Sequence, residues 1–423
     1  MSTNNTTVLI VGGGQAGVAT SEHLTLAGID HVVLEKGRIA ERWRTGRWDS
    51  LVTNGPAWHD QFPNLAHEGD PDRFPTKDEM AAYFERYADR FDAPIHTGVE
   101  VTACTQHQGR SGFTVESTAG TWEAEHVVVA TGPFQKPSIP PMIPEAADVD
   151  VIHSDAYSTP EALREGGVLV IGAGSSGAQI AVELNQAGRE VFLAVGPHER
   201  PPRRYRDRDI CWWLGVLGRW DEAAPPAGVA SAIAMSGASG GTTVDFRAMA
   251  EKGITLLGSA DGYANGVLSI ADDLANNIAG GDASYLELIR QADAWVERTG
   301  ADLPEQPEAH VLGTDPDCIT DPLRELDLAE AGIGTVMWAT GFAADYQWLH
   351  VPGALDERGR PMHERGISPV PGLHYVGLPW QSRRGSGFIW GCWYDARHVA
   401  DHIRVQTRYS NYSSPREIDA KAS

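Results

Sequence analysis

The chain has 423 residues with a formal net charge of −23, and 42% of the residues are hydrophobic and 22% charged. That length accommodates two or three domains with sizeable cores, and the composition belongs to globular proteins and not to disordered or fibrous ones. The negative balance argues against nucleic acid and anionic membrane surfaces as partners, because both would repel the chain.

The first predicted element is a strand entering a glycine loop, Val8-Leu-Ile-Val-Gly12-Gly-Gly14-Gln15-Ala-Gly17, followed by a helix that stops at Gly28. This is a dinucleotide fingerprint: Gly12 permits the tight turn, Gly14 lets the backbone approach a pyrophosphate, and Gly17 lets helix and strand pack closely. The helix N-terminus adds unpaired N–H groups and a positive dipole end. A short strand, His31 to Glu35, follows and ends in an acid 35 − 12 = 23 residues after the first glycine. A carboxylate there accepts hydrogen bonds from a ribose. Lys36 stands next to it.

Arg42-Trp43-Arg44-Thr-Gly-Arg47-Trp48 then places three arginines and two tryptophans in seven residues of an acidic chain. Composition alone leaves two readings open, a clamp for a pyrophosphate and ring system or a structural loop. Residues 78 to 91 predict an amphipathic helix with Met80, Tyr83, Phe84, Tyr87, Ala88 and Phe91 on one stripe. Short strands fill residues 95 to 125. The apolar run Val127-Val-Val-Ala130-Thr131-Gly132 leads into a Pro-rich crossing, residues 133 to 141.

A second fingerprint, Val168-Leu-Val-Ile-Gly172-Ala-Gly174-Ser175-Ser176-Gly177, repeats the first, with a helix that stops at Gly188. From third glycine to stop the spacing is the same in both, 28 − 17 = 11 and 188 − 177 = 11. Here the matching offset, 172 + 23 = 195, holds Val195 and not an acid, and Arg200, Arg203, Arg204, Arg206 and Arg208 follow. A 2′-phosphorylated ribose would be repelled by an acid and held by guanidinium forks, so NADP is expected, with Arg203 and Arg204 as its clamp; the alternative is a charged loop partly neutralised by Glu199, Asp207 and Asp209.

Residues 211 to 330 read poorly, apart from helical patterning near 284 to 298. The chain then repeats an earlier phrase: Gly334-Thr-Val-Met-Trp-Ala339-Thr340-Gly341 echoes the Ala-Thr-Gly of residues 130 to 132. The last stretch offers a strand and glycine turn at Gly377 and a helix running toward Val405. Cys104, Cys211, Cys318 and Cys392 are dispersed, with no Cys-x-x-Cys and no zinc-ligand spacing, so buried thiols and no metal are expected. No apolar run approaches the ~20 residues of a membrane span, and the first seven residues lack a basic leader region, so a cytoplasmic location is expected.

Together these motifs resemble the class B flavin-dependent monooxygenases, the group of flavin-containing N- and S-oxygenases and plant indole-pyruvate oxygenases. The resemblance spans nearly the whole chain. It implies an α/β fold of two Rossmann-like dinucleotide-binding domains, with an NADP domain (143–331) inserted into a discontinuous FAD domain (1–142 and 332–423). It assigns Gly12, Gly14, Gln15, Gly17, Glu35, Lys36, Arg42, Trp43, Thr131, Gly132 and Gly377 to FAD. Gly172, Gly174, Ser175, Ser176, Gly177 and Gly341, with Arg203 and Arg204, complete the cofactor set. The stretch Trp48-Asp-Ser-Leu-Val-Thr-Asn54 is similar to a family segment whose asparagine lies by the reactive flavin carbon, which makes Asn54 the candidate catalytic residue.

The implied activity is NADPH-dependent transfer of one oxygen of O₂, through a flavin C4a-hydroperoxide, to a small amine, sulfide or activated carbon. The alternatives are a flavin reductase without oxygen transfer and a flavin redox sensor without turnover. The family's identifying motif, Phe-x-Gly-x-x-x-His-Ser-x-x-Tyr, falls at residues 147 to 157, where His153, Ser154 and Tyr157 match and Ala147 and Val149 depart. Tyr157 and Ser158 stand where a Baeyer–Villiger enzyme has Trp-Pro, which makes ketone insertion the weaker subtype. Expected partners are a small substrate and O₂, with a homodimer as one candidate assembly.

Overall fold

The computed structural model describes residues 3–144, 147–225, 232–410 and 412. The first unit runs β1 (Thr3–Val11), α1 (Gln15–Leu26), β2 (His31–Glu35), α2 (Lys77–Asp89), β3 (Ile95–Thr97), β4 (Val101–Gln106), β5 (Phe113–Ser117) and β6 (Gly120–Val129). The second runs β7 (Asp150–His153), β8 (Gly167–Ile171), α3 (Ser175–Gln186), β9 (Val191–Ala194), β10 (Ile254–Leu257), α4 (Leu274–Thr299) and β11 (Ile333–Trp338). The chain then returns through β12 (Leu349–His350), β13 (Leu373–Tyr375) and α5 (Ile389–Ser410).

These strands form two sheets. The first has the order β12-β4-β5-β6-β1-β2-β3, with β13 joining the far half of β6. β1 lies parallel to both β2 and β6, which makes the gap beside β1 a point where the strand order reverses. The second sheet, β10-β9-β8-β11-β7, is parallel throughout. Parallel strands joined by crossovers are covered on both faces, which is why β8, β9 and β11 are apolar without alternation and buried at every residue. Each such Val, Leu or Ile contributes roughly 1.5–3 kcal/mol on burial. In open sheets of this type ligands bind outside the carboxyl ends of the strands at the reversal point.

One predicted boundary needs correction. β11 was expected to begin the returning FAD segment at residue 332, yet it is hydrogen-bonded between β8 and β7 inside the second sheet. The return to the first sheet therefore begins beyond Gly341. The repeated Ala-Thr-Gly phrase does not mark the return, because each copy serves its own fingerprint, Ala130 against Gly12 and Ala339 against Gly172.

The stripe on α2 is buried at Met80, Tyr83, Phe84, Tyr87 and Ala88, and Phe91 packs against it from just beyond the helix. A capping box starts the helix: Thr76 Oγ1 accepts the Glu79 N–H at 3.2 Å, and Glu79 Oε2 accepts the Thr76 N–H at 2.8 Å. Glu22 of α1 gathers donors from Tyr87, Asn64 and Trp393, which ties α1 to α2 and α5 and satisfies a carboxylate that is otherwise costly to bury.

Candidate functional site

Two glycine loops form the site, and they are built alike. Gly12 turns the chain off β1 at φ +108°, with its Cβ position 2.6 Å from the Ala130 carbonyl oxygen. A Cβ on Gly17 would stand 1.8 Å from the Gly12 carbonyl oxygen, so only hydrogen fits. Gly14 caps the start of α1 without a side-chain hydrogen bond, and open space lies where its Cβ would be. An uncapped helix N-terminus facing open space offers a pyrophosphate donors, dipole and room. Gln15 opens the helix. Gly377, at φ +90°, packs against α1 so closely that a Cβ added there would stand 2.7 Å from the Ala16 Cβ.

Glu35 stands at the end of β2 beside this loop, and its carboxylate accepts the Gly13 N–H at 2.6 Å and the Gly37 N–H at 2.7 Å. The acid thus shapes the loop, and each oxygen keeps a second lone pair for a ribose hydroxyl. Lys36 is exposed beyond it. Thr131 and Gly132 follow β6, where Gln135 Nε2 donates to Thr131 Oγ1 (3.0 Å) and to the Gly132 carbonyl (2.7 Å).

In the second loop Gly172 turns at φ +106° with its Cβ position 2.7 Å from the Ala339 carbonyl oxygen, and Gly177 would place a Cβ 1.8 Å from the Gly172 oxygen. Gly174 caps α3, again without a side-chain bond, but the Ala232 Cβ stands 3.4 Å from its Cβ position. Ser175 Oγ donates to the Ile233 carbonyl (2.8 Å) and accepts the Met235 N–H (3.2 Å), so residues 232 to 235 run along the mouth of this loop. Ser176 is exposed. Gly341 accepts a hydrogen bond from His153 Nε2 (2.9 Å), and burial lowers the His153 pKa below its ordinary value. Both cradles have the backbone shape of a dinucleotide site, the second one narrower.

At the end of β9, Val195 is fully buried and its carbonyl accepts a hydrogen bond from Asn277 of α4 (2.9 Å), so no acid occupies the place matching Glu35. Of the two arginines expected to form the clamp, Arg203 is engaged inside the protein. Arg203 is 2% exposed, and its guanidinium donates to Asp209, to the Asn54 carbonyl and to the Ser236 carbonyl. It is a buried strut engaged with the scaffold. Arg204 is exposed and lines a cavity of about 340 Å³ with Val52, Phe74 and Gly240. Arg42 forms a two-pronged pair with Asp155 of the second unit (2.6 and 3.3 Å), and Trp43 packs against the cores of both units. These two residues join the units.

Asn54 lies where the units meet. Its carbonyl accepts from Arg203 Nη1 at 2.5 Å, and its Oδ1 accepts from Gln179 Nε2 of α3 at 2.8 Å. The following N–H, of Gly55, donates to Asp60 Oδ2 (3.0 Å), whose other oxygen takes the His59 Nδ1–H (2.7 Å). Sequence reasoning missed Gln179 and Asp60. Gln179 had one visible mark, a polar residue within the buried run Gly177 to Ala181 of α3.

Thiol chemistry has no support in the site. Cys104, Cys211 and Cys392 are buried and unpaired, Cys318 is half-buried, and burial pushes the Cys104 pKa up to about 12 and raises those of Cys211 and Cys392. Among the described residues no helix is long and apolar enough to cross a membrane.

Comparison with known proteins accords with this geometry. Residues 9–210 match the family model of the pyridine nucleotide-disulphide oxidoreductases. An uncharacterized CzcO-like oxidoreductase of Geobacillus kaustophilus is 36% identical over 400 residues, covering 94% of this chain and 97% of that protein. The indole-3-pyruvate monooxygenase YUCCA6 of Arabidopsis thaliana is 33% identical over 195 residues, 44% of this chain and 47% of that protein. The fold matches the flavin-containing monooxygenase from Stenotrophomonas maltophilia with a TM-score of 0.64 at 19% identity, over 96% of this chain and 99% of that one. The chain belongs to the CzcO-like oxidoreductases, and its fold is that of the flavin-containing monooxygenases.

Proposed function

We propose that the protein is an NADPH-dependent FAD monooxygenase that delivers one oxygen atom of O₂ to a small organic nucleophile, an amine, a sulfide or an activated carbon. In this reading FAD occupies the first loop, with Glu35 on its ribose, and NADPH occupies the second. The FAD domain comprises residues 1 to 142 and the segment after Gly341. NADPH is favoured by Val195, since no acid repels a 2′-phosphate, and Arg204 remains the candidate contact. FAD supplies the hydride acceptance and O₂ activation that no side chain provides. The chain's own residues bind, orient and exclude water.

The observation that carries the reading is the position of Asn54, on a loop of the first unit with its side chain hydrogen-bonded to the nucleotide helix of the second. A neutral amide there stabilises negative charge developing on oxygen, where a carboxylate would repel it. Losing one such donor costs on the order of 10²-fold in comparable oxyanion sites. Asn54→Leu is therefore expected to retain FAD while releasing more H₂O₂ per NADPH and forming less product. Oxygen uptake and product mass, measured with amines, sulfides, ketones and aromatic acids, test both statements. An unchanged H₂O₂ fraction removes Asn54 from this role, and a wild type that oxidises NADPH without oxygenating any substrate leaves the reductase reading, which needs the same two loops.

A further inference from the structure

We propose that Gln179 is a positioning residue that sets which end of the Asn54 amide faces the flavin, an inference that rests on the proposed role of Asn54. Gln179 is 9% exposed and lies one turn into α3, the helix that begins at the second glycine loop. Its Nε2 donates both hydrogens, one to the Met235 main-chain carbonyl at 2.9 Å and one to Asn54 Oδ1 at 2.8 Å. A main-chain carbonyl only accepts, so the Gln179 atom facing Met235 must be the amino nitrogen. The second hydrogen of that same nitrogen requires an acceptor on Asn54, which fixes Oδ1 toward α3. The Asn54 Nδ2 donors are thereby turned away from the second unit, and no partner for them stands among the described residues.

The backbone around Asn54 is held as firmly as its side chain. Arg203 takes the Asn54 carbonyl, Asp60 takes the Gly55 N–H, and Thr53 Oγ1 donates to the Gly55 carbonyl at 2.7 Å. With the main chain fixed, the remaining freedom of Asn54 is the end-over-end turn of its amide. That turn exchanges two donors for one acceptor without moving a heavy atom far. Gln179 selects the donor-outward state, and it does so from the helix whose N-terminus would carry the pyridine nucleotide. Asn54 is thus oriented by one unit of the protein for chemistry on the cofactor of the other.

The experiment compares wild type, Gln179→Glu, Gln179→Met, Asn54→Leu and the Gln179→Glu/Asn54→Leu double variant, all loaded with FAD. A carboxylate at position 179 has only acceptors to offer, so the Asn54 amide turns over and presents Oδ1 outward. Methionine keeps the bulk and releases the amide. The H₂O₂ released per NADPH is expected to rise several-fold in Gln179→Glu, to reach the level of Asn54→Leu, and to go no higher in the double variant. The midpoint potential of the bound FAD is expected to fall in Gln179→Glu and in Asn54→Leu, with no further change on combining them, because a donor beside the flavin favours its reduced anion.

Dependence on Asn54 is the signature, since damage to packing would persist in the Asn54→Leu background. Wild-type values of both quantities in Gln179→Glu, or effects that multiply in the double variant, overturn the proposal. Should the wild type itself form no oxygenated product, the monooxygenase reading fails alone, and the potentials of the same proteins still decide the role of Gln179. If the glutamate variant does not fold, Gln179→Met and its combination with Asn54→Leu answer the same question, with a fall in potential that vanishes in the Asn54→Leu background expected and an additive fall overturning it.

Discussion

The two glycine loops share their backbone to within small differences, φ +108° against +106° at the first glycine and the same 1.8 Å approach at the third. They differ in what surrounds them. The first opens freely at Gly14 and is flanked by Glu35, whereas the second faces Ala232 at Gly174 and has the buried Val195 in the acid's place. The turn is dictated by sterics that any dinucleotide cradle must satisfy. The choice of nucleotide belongs to side chains outside the fingerprint. Likeness of loops thus licenses an inference about ligand class, and only their surroundings bear on ligand identity.

The sharpest test of that division concerns Arg203, which sequence alone places with the ligand and the structure places with the scaffold. Removing it leaves Asp209 with 10% of its side chain exposed and without its partner. Breaking a buried ion pair from one side costs about 3–5 kcal/mol. Arg203→Ala is expected to lose stability on that scale in urea unfolding while keeping its NADPH-to-NADH preference, read from kcat/KM. A stable variant with lost preference would restore Arg203 to the nucleotide.

A smaller effect separates the loops from each other. Gly17→Ala and Gly177→Ala each force a methyl group against a carbonyl oxygen, an overpacking cost of about 1–3 kcal/mol or somewhat more. Flavin content is expected to collapse in Gly17→Ala and to survive in Gly177→Ala, which instead loses affinity for the pyridine nucleotide in titration calorimetry. Loss of flavin in Gly177→Ala with retention in Gly17→Ala would reverse the assignment of the cofactors.

The weakest expected difference lies in acid. The first sheet buries two facing histidines, His126 on β6 and His374 on β13, at 3.3 Å, with His402 of α5 edge-on against the second. Burial lowers the pKa of His126 to about 4 and that of His374 in the same direction. Both stay neutral when folded, so the unfolded chain binds more protons below its ordinary value near 6.5. Their stabilisation is complete above that pH and drains away as pH falls. The loss from His126 is about 1 kcal/mol between pH 6.5 and 5.5. Flavin release measured against pH is expected to begin in this window, ahead of any loss of the second unit. A His126→Gln variant with an unchanged acid limb would show that the pair is not responsible.

Much of this architecture is legible in the sequence. Both fingerprints, the strand ending in Glu35 and the stripe on α2 follow from period and spacing. What escaped depended on partners distant in the chain. α4 runs from Leu274 to Thr299, but its first half carries Asn276-Asn277 and Gly280-Gly281, poor helix formers, and only the second half showed helical patterning. Asn277 is there to reach the Val195 carbonyl, and a Cβ on Gly281 would lie 2.3 Å from His198 Nε2. The arginine cluster is ambiguous in sequence because charge counts do not reveal pairing. In the structure a two-residue turn at Arg206 and Asp207, both at positive φ, pairs Arg204 with Asp209 and brings the acid back beside Arg203.

The Ala-Thr-Gly phrases also impose an order of assembly in time. Gly12 is shaped against Ala130, 130 − 12 = 118 residues later, and Gly172 against Ala339, 339 − 172 = 167 residues later. At the usual pace of translation, ~5–20 residues per second, the second loop emerges from the ribosome roughly 10 to 30 s before the strand that completes it. Throughout that interval β8 has an open edge where β11 will lie, and its apolar run lacks a neighbour on that side. The nascent chain is therefore most exposed to mispairing while residues 172 to 339 are being made, and a chaperone that holds hydrophobic edges would act on it in that window.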